Sequence, residues 1–259
     1  MDLGIKGKQA LLCASNAGLA LACARAIAAE GADVVINGRN PEKTEEAARK
    51  LREVATGSVE FVIADISTDE GRSALLRACP SPDILLNNNA GPKPKLFLET
   101  DRRDWVETCN SNYITPILLV HAILPSMIER GFGRIVNITS AMVTTPRPHQ
   151  TLSSGARAAL TGSLKALSLE VARHNITINN MLPERFETDR QHQLAKAAAD
   201  RHGITYEAAR RAQVDSIAAK RMGNPEEFGA TFAFICSVHA GFISGMNFHL
   251  DGGSYPALI

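Results

Sequence analysis

The amino-acid sequence predicts an α/β fold in which a doubly wound parallel sheet of seven strands is flanked by helices. Short runs rich in leucine or β-branched residues alternate with longer segments of helical period, and this alternation is typical of repeated βαβ units. The chain has 259 residues, of which 45% are hydrophobic, which is enough to bury one large core without a linker. We therefore expect a single domain over residues 1–259.

The strands are predicted where leucine and β-branched residues concentrate: QALLC at 9–13, DVVIN at 33–37, EFVIA at 60–64, DILLN at 83–87, GRIVNIT at 133–139, TINNML at 177–182 and NFHL at 247–250. Helices are predicted from the period of the segments between them: 18–30, ending at Gly31; 41–54, beginning at Pro41; 69–78; 101–130; 154–174; and 225–238. Right-handed crossovers between such units place ligands outside the carboxyl ends of the strands.

One stretch, residues 186–221, does not fit the alternation. It lies between a strand and the last helix, is rich in Ala, Arg, Gln and Glu, and has weak helical periodicity. We interpret it as a helical flap. A flap at this edge of the sheet closes over a ligand and excludes water; the alternative is a solvated excursion that packs against another subunit.

The composition argues against several classes of partner. Lys and Arg number 28 against 27 Asp and Glu, so neither a nucleic-acid nor a membrane partner is indicated. The five cysteines are widely spaced without a Cys-x-x-Cys pair, which predicts reduced thiols and no zinc site. The first residues show no leader pattern, and the longest apolar stretch, 114–125, is short for a membrane span. We expect a cytoplasmic protein acting on a small molecule.

The segment after the first predicted strand indicates a phosphate site. A turn containing Ser15 and Asn16 is followed by Gly18, Leu19 and an Ala-rich helix that begins at once. The start of such a helix presents backbone N–H groups and a partial positive charge to an anion. These four residues are our first cofactor-binding candidates.

The end of the second predicted strand bears on which nucleotide is bound. Sites that prefer an unphosphorylated ribose usually place a carboxylate there, whereas this chain has Asn37 and Arg39. A guanidinium at this point can pair bidentately with a 2′-phosphate. NADP(H) is therefore favoured over NAD(H), the alternative being that Arg39 is an exposed turn residue.

Several motifs, in matching order and spacing, resemble the short-chain dehydrogenase/reductase superfamily, and the 3-oxoacyl-acyl-carrier-protein reductases in particular. They include NNAG at 88–91, GRIVNITS at 133–140, RMGNPEEFG at 221–229 and LDGG at 250–253. The resemblance implies a Rossmann-type fold and a homodimer or homotetramer formed through the helices at 101–130 and 154–174. It also implies further cofactor contacts: Asp65 with adenine, Thr188 with the carboxamide, and Asn88, Ala90, Gly91 and Pro183.

The glycine motif of that superfamily, Thr-Gly-x-x-x-Gly-x-Gly, is only partly present. Its four fixed positions fall on Cys13, Ala14, Gly18 and Ala20. The methyl of Ala14 is harmless if φ is negative, but costs about 1–2 kcal/mol in the left-handed region. The methyl of Ala20 is expected to push the helix away from the strand. We expect weakened or repositioned cofactor binding. The alternative is that the protein binds no cofactor tightly.

Two of the four catalytic positions implied by the resemblance have changed. The family Asn and Ser fall on Asn112 and Ser140, whereas the family Tyr and Lys fall on Ser153 and Arg157. An aliphatic hydroxyl is a far weaker acid than a phenol, whose pKa is near 10. Arg157 can still hydrogen-bond a ribose hydroxyl, but it cannot shuttle protons as Lys does.

Other side chains are candidate substitutes for the missing proton donor. His149, in the loop TTPRPHQT, has a ring suited to proton transfer, although an ordinary loop histidine is the alternative. Tyr113 and Tyr206 are the other phenols considered, and a structural role is the preferred interpretation for both. Glu184 replaces a family Gly and is expected to hinder the usual nicotinamide pose.

The sequence thus leaves three functions open. The leading hypothesis is a divergent NADP(H)-linked oxidoreductase that reduces a carbonyl or oxidises a secondary alcohol, with Ser153, His149 or water supplying the proton. The second is a non-catalytic ligand-binding or assembly protein on the same scaffold. The third is a non-redox enzyme that uses the cleft without nicotinamide.

Overall fold

A computed structural model describes residues 1–258, and its seven strands form one parallel sheet in the order β3-β2-β1-β4-β5-β6-β7. This confirms the predicted doubly wound α/β fold. The strands are β1 (Gln9–Leu12), β2 (Asp33–Gly38), β3 (Val59–Ile63), β4 (Ile84–Asn87), β5 (Gly133–Ile138), β6 (Ile176–Pro183) and β7 (Asn247–Leu250). The order reverses between β1 and β4, and such a switch point is where doubly wound sheets bind ligands.

The α-helices of the described residues are α1 (Gly18–Ala29), α2 (Pro41–Arg52), α3 (Asp69–Ala78), α4 (Arg102–Cys109), α5 (Thr115–Arg130), α6 (Thr151–Val171), α7 (Asp189–His202), α8 (Tyr206–Asp215) and α9 (Pro225–Cys236). The boundaries follow local chemistry. Asn40 caps α2 by accepting from the Lys43 N–H, and Thr68 caps α3 by accepting from the Gly71 N–H. Such caps satisfy donors that the helix itself leaves without partners.

The core consists of one apolar layer on each face of the sheet. Leu12 and Ile36 lie in the layer beneath α1, α2 and α9, whereas Leu11 and Val35 lie in the layer beneath α3, α5 and α6. Neighbours along a strand therefore point to opposite faces, and both faces are covered. This explains why the strands read as continuous apolar runs.

The helix predicted over 101–130 is not regular. It begins at Arg102, and a π-helical turn at Asn110–Ile114 separates α4 from α5. The wider turn carries the buried Asn112, whose side-chain amide donates to the Ala90 carbonyl. Helical periodicity cannot reveal such a turn, because it adds one residue without ending the helix.

The span Arg102–Arg130 is also long and apolar enough to cross a membrane, judged by length and composition alone. Core helices of globular proteins satisfy the same test. Here Leu119, Ile123 and Met127 from this span are fully buried in the core layer beneath α5.

The predicted flap contains two helices, α7 and α8. They pack together through Ala195, Ala199 and Ala209, and the base of the flap is tied by a short bridge between Phe186 and Gly223. Small alanines give a weak apolar stripe, which accounts for the weak periodicity of this stretch in the sequence.

Candidate functional site

A cleft of about 1320 Å³ lies at the carboxyl edge of the sheet and is partly covered by α7. All but two of the candidate site residues line it: Asn16, Gly18, Leu19, Asn37, Arg39, Asp65, Asn88, Ala90, Gly91, Ser140, His149, Ser153, Arg157, Pro183 and Thr188. The two outside its lining are Ser15 and Asn112. The sheet thus brings together residues that are widely separated in sequence.

The first turn of α1 is open towards the cleft. Gly18 has φ +59°, and a Cβ placed there would meet no heavy atom within 4 Å. The N-cap residue is Ala17, which makes no side-chain cap. Since no cap competes for them, the first N–H groups of α1 are available to an anion.

Ala14 adopts φ +43°, which is the unfavourable case of the two considered from the sequence. Its Cβ is held in the left-handed region, where an L-residue other than glycine is strained. Ala20 differs, because it is buried in the core layer that joins α1 to the sheet. Its methyl is accommodated there.

Replacing Ala14 by Gly is expected to raise the free energy of unfolding. Relief of the left-handed conformation contributes about 1–2 kcal/mol, from which about 0.5–1 kcal/mol is lost to the greater freedom of an unfolded glycine. Thermal denaturation should show a midpoint higher by a few degrees, about 2–4 °C per kcal/mol at this chain length. Ala29→Gly, at an exposed position at the end of α1 with ordinary helical φ, is the matched control and is expected to lower the free energy of unfolding instead.

Ser15 and Asn37 form hydrogen bonds within the protein that shape this turn, and their predicted contacts with a cofactor stay predictions. The Ser15 hydroxyl donates to the Leu12 carbonyl and accepts from the Asn37 N–H. The Asn37 amide donates to two carbonyls of the third strand region, those of Val62 and Ala64, and accepts from the Ala14 N–H. Both polar groups are thereby satisfied internally.

Arg39 and Asp65 lie across from each other at the outer end of the cleft. Arg39 Nη1 is 3.5 Å from Asp65 Oδ2, and the two side chains are 68% and 41% exposed. An exposed pair of this kind contributes little to stability. The guanidinium is therefore free to exchange this carboxylate for a more highly charged partner.

Ser140, Ser153 and Arg157 line the cleft where β5 ends and α6 begins. The Ser140 hydroxyl accepts from the Met142 N–H. Arg157 is buried, and its Nη1 donates to the Ile138 carbonyl at 2.5 Å. Burial lowers the pKa of Arg157 to about 10, so its guanidinium is still charged at neutral pH.

Asn112 supports this end of the cleft without lining it. Its amide nitrogen donates to the Ala90 carbonyl and to the Ser111 hydroxyl, whereas its buried Oδ1 has no hydrogen-bond partner among the described residues. Asn88 donates to the Ala14 carbonyl. The Asn88 bond joins the loop after β4 to the loop after β1, and the Asn112 bond to Ala90 joins the π-helical turn to the same loop after β4.

None of the three tyrosines of the chain lines the cleft. Tyr113 shares a hydrogen bond with Ser163, Tyr206 bonds His192 within the flap, and Tyr255 stacks on His249. His149 does line the cleft, and its φ of +67° is uncommon for a residue other than glycine. The described residues therefore place a histidine, but no phenol, beside Ser140 and Ser153.

The sequence did not reveal a cluster of ion pairs around Glu184 in the cleft. Glu184, already noted as a departure from the family pattern, pairs with Arg147 at 2.8 Å and approaches Arg185 at 3.5 Å. All three line the cleft. Arg147 belongs to the loop before α6, whose path nothing in the sequence predicts.

Comparisons with known proteins agree with this architecture. A family model described as "Enoyl-(Acyl carrier protein) reductase" matches residues 13–255. The 3-oxoacyl-[acyl-carrier-protein] reductase of Aquifex aeolicus (strain VF5) is 30% identical, over 98% of this chain and 100% of its own length. The NADPH-dependent reductase BacG of Bacillus subtilis (strain 168) is 28% identical, over 97% of this chain and 99% of its own length.

Among solved structures, L-sorbose reductase from Gluconobacter frateurii, complexed with NADPH and L-sorbose, superposes with a TM-score of 0.94 at 30% identity, and all of both chains is covered. The sheet order, the position of the cleft and these full-length matches lead to the same assignment. The chain belongs to the short-chain dehydrogenase/reductase family of oxidoreductases.

Proposed function

We propose that this protein is a divergent NADP(H)-linked oxidoreductase that interconverts a carbonyl and a secondary alcohol. The observation that carries the proposal is the continuity of the cleft. One cavity runs from the uncapped start of α1 and Arg39 to Ser140, Ser153 and Arg157. Its two ends suit a phosphorylated nucleotide and a reacting carbonyl, respectively.

The residues present fit such a nucleotide. Gly18 leaves open space above the first turn of α1, so the backbone can approach a pyrophosphate, which is stabilised by the N–H groups of the turn. Arg39 suits the 2′-phosphate, and Asp65 and Thr188 border the same cleft. When bound, NADPH would supply the hydride.

The remaining chemistry falls to side chains of this protein. The Ser140 hydroxyl can donate to a substrate oxygen while it accepts from the Met142 N–H. Arg157 adds a fixed positive charge beneath the site, and Asn112 holds the adjoining loop. The proton is expected from His149, from Ser153 or from water, because no tyrosine faces the cleft.

A second candidate function is a binding or assembly protein without turnover. It is favoured by one observation, namely that Arg157 is committed to the Ile138 carbonyl rather than to a phenol. In that case a nucleotide or another ligand would bind without hydride transfer.

Thermal denaturation with NADPH and with NADH tests the cofactor proposal. A ligand at about 100 times its dissociation constant adds about 2.7 kcal/mol to the free energy of unfolding, which is a readily measured shift. A shift with NADPH together with its oxidation by a panel of ketones supports the oxidoreductase. A shift without oxidation favours the binding protein, and no shift with either nucleotide rejects both nucleotide-based functions.

Arg39→Ala is expected to weaken NADPH binding by about tenfold or more, because a charge-assisted hydrogen bond is worth about 1.5–3 kcal/mol. NADH binding should change little, since it has no 2′-phosphate. Calorimetric titration with both nucleotides measures the difference. Lys43→Ala, which removes a cation of α2 outside the cleft, is the control, and equal losses for the two nucleotides would contradict the assignment of Arg39.

We also propose that the chain is a single-domain cytoplasmic protein that forms a homodimer or homotetramer. The proposal is supported by the resemblance of its long helices to those through which family members assemble. Sedimentation velocity on the purified chain tests the oligomeric state.

A further inference from the structure

The substrate end of the cleft contains more cationic than anionic side chains. Arg147, Glu184 and Arg185, which we call the guanidinium cluster, comprise two guanidiniums and one carboxylate, and Glu184 Oε1 accepts from Arg147 at 2.8 Å. The Glu184 side chain is only 6% exposed, whereas those of Arg147 and Arg185 are 45% and 21% exposed. The carboxylate is thus covered by its partners, and the cations face the cavity.

Other charged side chains that line the cleft near the cluster are Arg157, Glu187, Asp189 and Arg190, two cations and two anions, so they leave the excess of the cluster unchanged. Arg157 lines the same end of the cleft and is hydrogen-bonded to a carbonyl rather than to a carboxylate. Glu187, the nearest acid along the chain, is already engaged by Arg210 at 2.6 Å and by His192 at 2.9 Å. The cluster and Arg157 together therefore present a net positive charge to whatever occupies this end.

Arg185 also has hydrogen-bonding capacity to spare. Its Nε lies 3.5 Å from Glu184 Oε1, but the approach does not meet hydrogen-bond geometry, so this buried N–H has no acceptor among the described residues. A buried donor without a partner is costly. The Arg185 side chain is 21% exposed, and the planar fork of arginine is suited to binding a carboxylate with two parallel hydrogen bonds.

The cluster lies beside the reacting groups. Arg147 precedes α6, which carries Ser153 in its first turn, and Glu184 directly follows β6. β6 is paired with β5, Met181 lying opposite Ile138, and Ser140 comes two residues after Ile138. A substrate whose carbonyl reaches Ser140 therefore extends towards Arg147 and Arg185.

We propose that the substrate of this site is a carbonyl compound that bears a carboxylate, held by Arg185 and Arg147. The inference rests on the proposed function and narrows its substrate class to oxo acids and the corresponding hydroxy acids. Glu184 lies between the two guanidiniums, attracts both and partly offsets their charge. An ester or amide of the same acid lacks the charge that the cluster binds.

The test is calorimetric binding of three matched pairs, 2-oxobutanoate, 4-oxopentanoate and 6-oxoheptanoate, each against its methyl ester. The three acids differ in the number of carbon atoms between the carbonyl and the carboxylate. Binding is measured with and without NADP⁺, and NADPH is left out so that the carbonyl is not reduced. At least one acid is expected to bind about tenfold or more tightly than its ester. Equal binding of acid and ester in all three pairs, or no binding, overturns the proposal.

Two substitutions are expected to act in opposite directions. Arg185→Met should weaken binding of the preferred acid by about tenfold or more, whereas Glu184→Gln should strengthen it, because the competing carboxylate is removed. Arg211→Met, at an exposed position of α8 outside the cleft, is the matched control. A weaker acid complex in Glu184→Gln contradicts the proposal even if Arg185→Met folds poorly.

Failure of this inference can be told apart from failure of the proposed function. NADPH oxidation by neutral ketones without any preference for acids rejects the cluster's role alone. Acid binding that depends on Arg185 without any NADPH oxidation retains the cluster's role and rejects the oxidoreductase.

Discussion

Replacing Ser153 by Tyr together with Arg157 by Lys is expected to raise NADPH-dependent carbonyl reduction by about 10²–10⁴-fold, which is what a positioned general acid typically contributes. Ser153 lines the cleft in the first turn of α6, and position 157 is one helical turn further on. A phenol and an ammonium at these positions lie on the same face of the helix. The cation favours the phenolate and lowers the pKa of the phenol from its usual value near 10.

The matched control is Ser153→Phe with Arg157→Lys, which introduces the same ring without its hydroxyl. Initial rates of NADPH oxidation with the preferred carbonyl substrate would be compared for the two double variants and the natural chain. A gain confined to the Tyr variant means that the rest of the site still positions hydride donor and carbonyl. A similar gain in the Phe variant would contradict the proton-transfer explanation.

The second large effect concerns stability. Arg134 is 1% exposed, and its guanidinium donates to the carbonyls of Gly133, Asn175 and Ser237 while lying over the Phe132 ring. It thereby joins the start of β5 to the loop before β6 and to the end of α9. Arg134→Ala is expected to lower the free energy of unfolding by about 3 kcal/mol or more, since each buried polar group left without a partner costs about 1–3 kcal/mol.

Urea denaturation measures this loss. Arg134→Lys keeps the charge but not the planar fork, so it should fall between the Ala variant and the natural chain. Arg103→Ala, which removes an exposed guanidinium paired only with Glu107, should leave the unfolding midpoint nearly unchanged. An Arg134→Ala variant as stable as the Arg103→Ala variant would show that water satisfies these carbonyls.

Positions 14, 153 and 157 carry Ala, Ser and Arg where the family resemblance implies Gly, Tyr and Lys. Ala14 is held at φ +43°, and Arg157 donates to the Ile138 carbonyl. The opening above Gly18 and the exposed Arg39 are retained. If the proposed function holds, the residues proposed to bind the nucleotide are thus closer to the family pattern than those proposed to transfer a proton.

The order of strands and helices was determined by the sequence itself, because alternating apolar runs and helical segments report local conformation and burial. The family resemblance, through the spacing from Ser140, assigns Ser153 and Arg157 to the positions of the family Tyr and Lys, and this assignment stays a prediction. The sequence also indicated that Ala14 would be costly only in one backbone conformation. It did not reveal which conformation is adopted.

The tertiary structure alone decided what depends on contacts between distant segments. The π-helical turn around Asn112, the internal hydrogen bonds of Asn37 and the approach of Arg147 to Glu184 all arise there. Arg147 and Glu184 are far apart in sequence, and the loop that carries Arg147 has no periodicity. The charge at this end of the cleft is therefore set by how the adjacent strands β5 and β6 bring the loops that follow them together, which no local sequence pattern encodes.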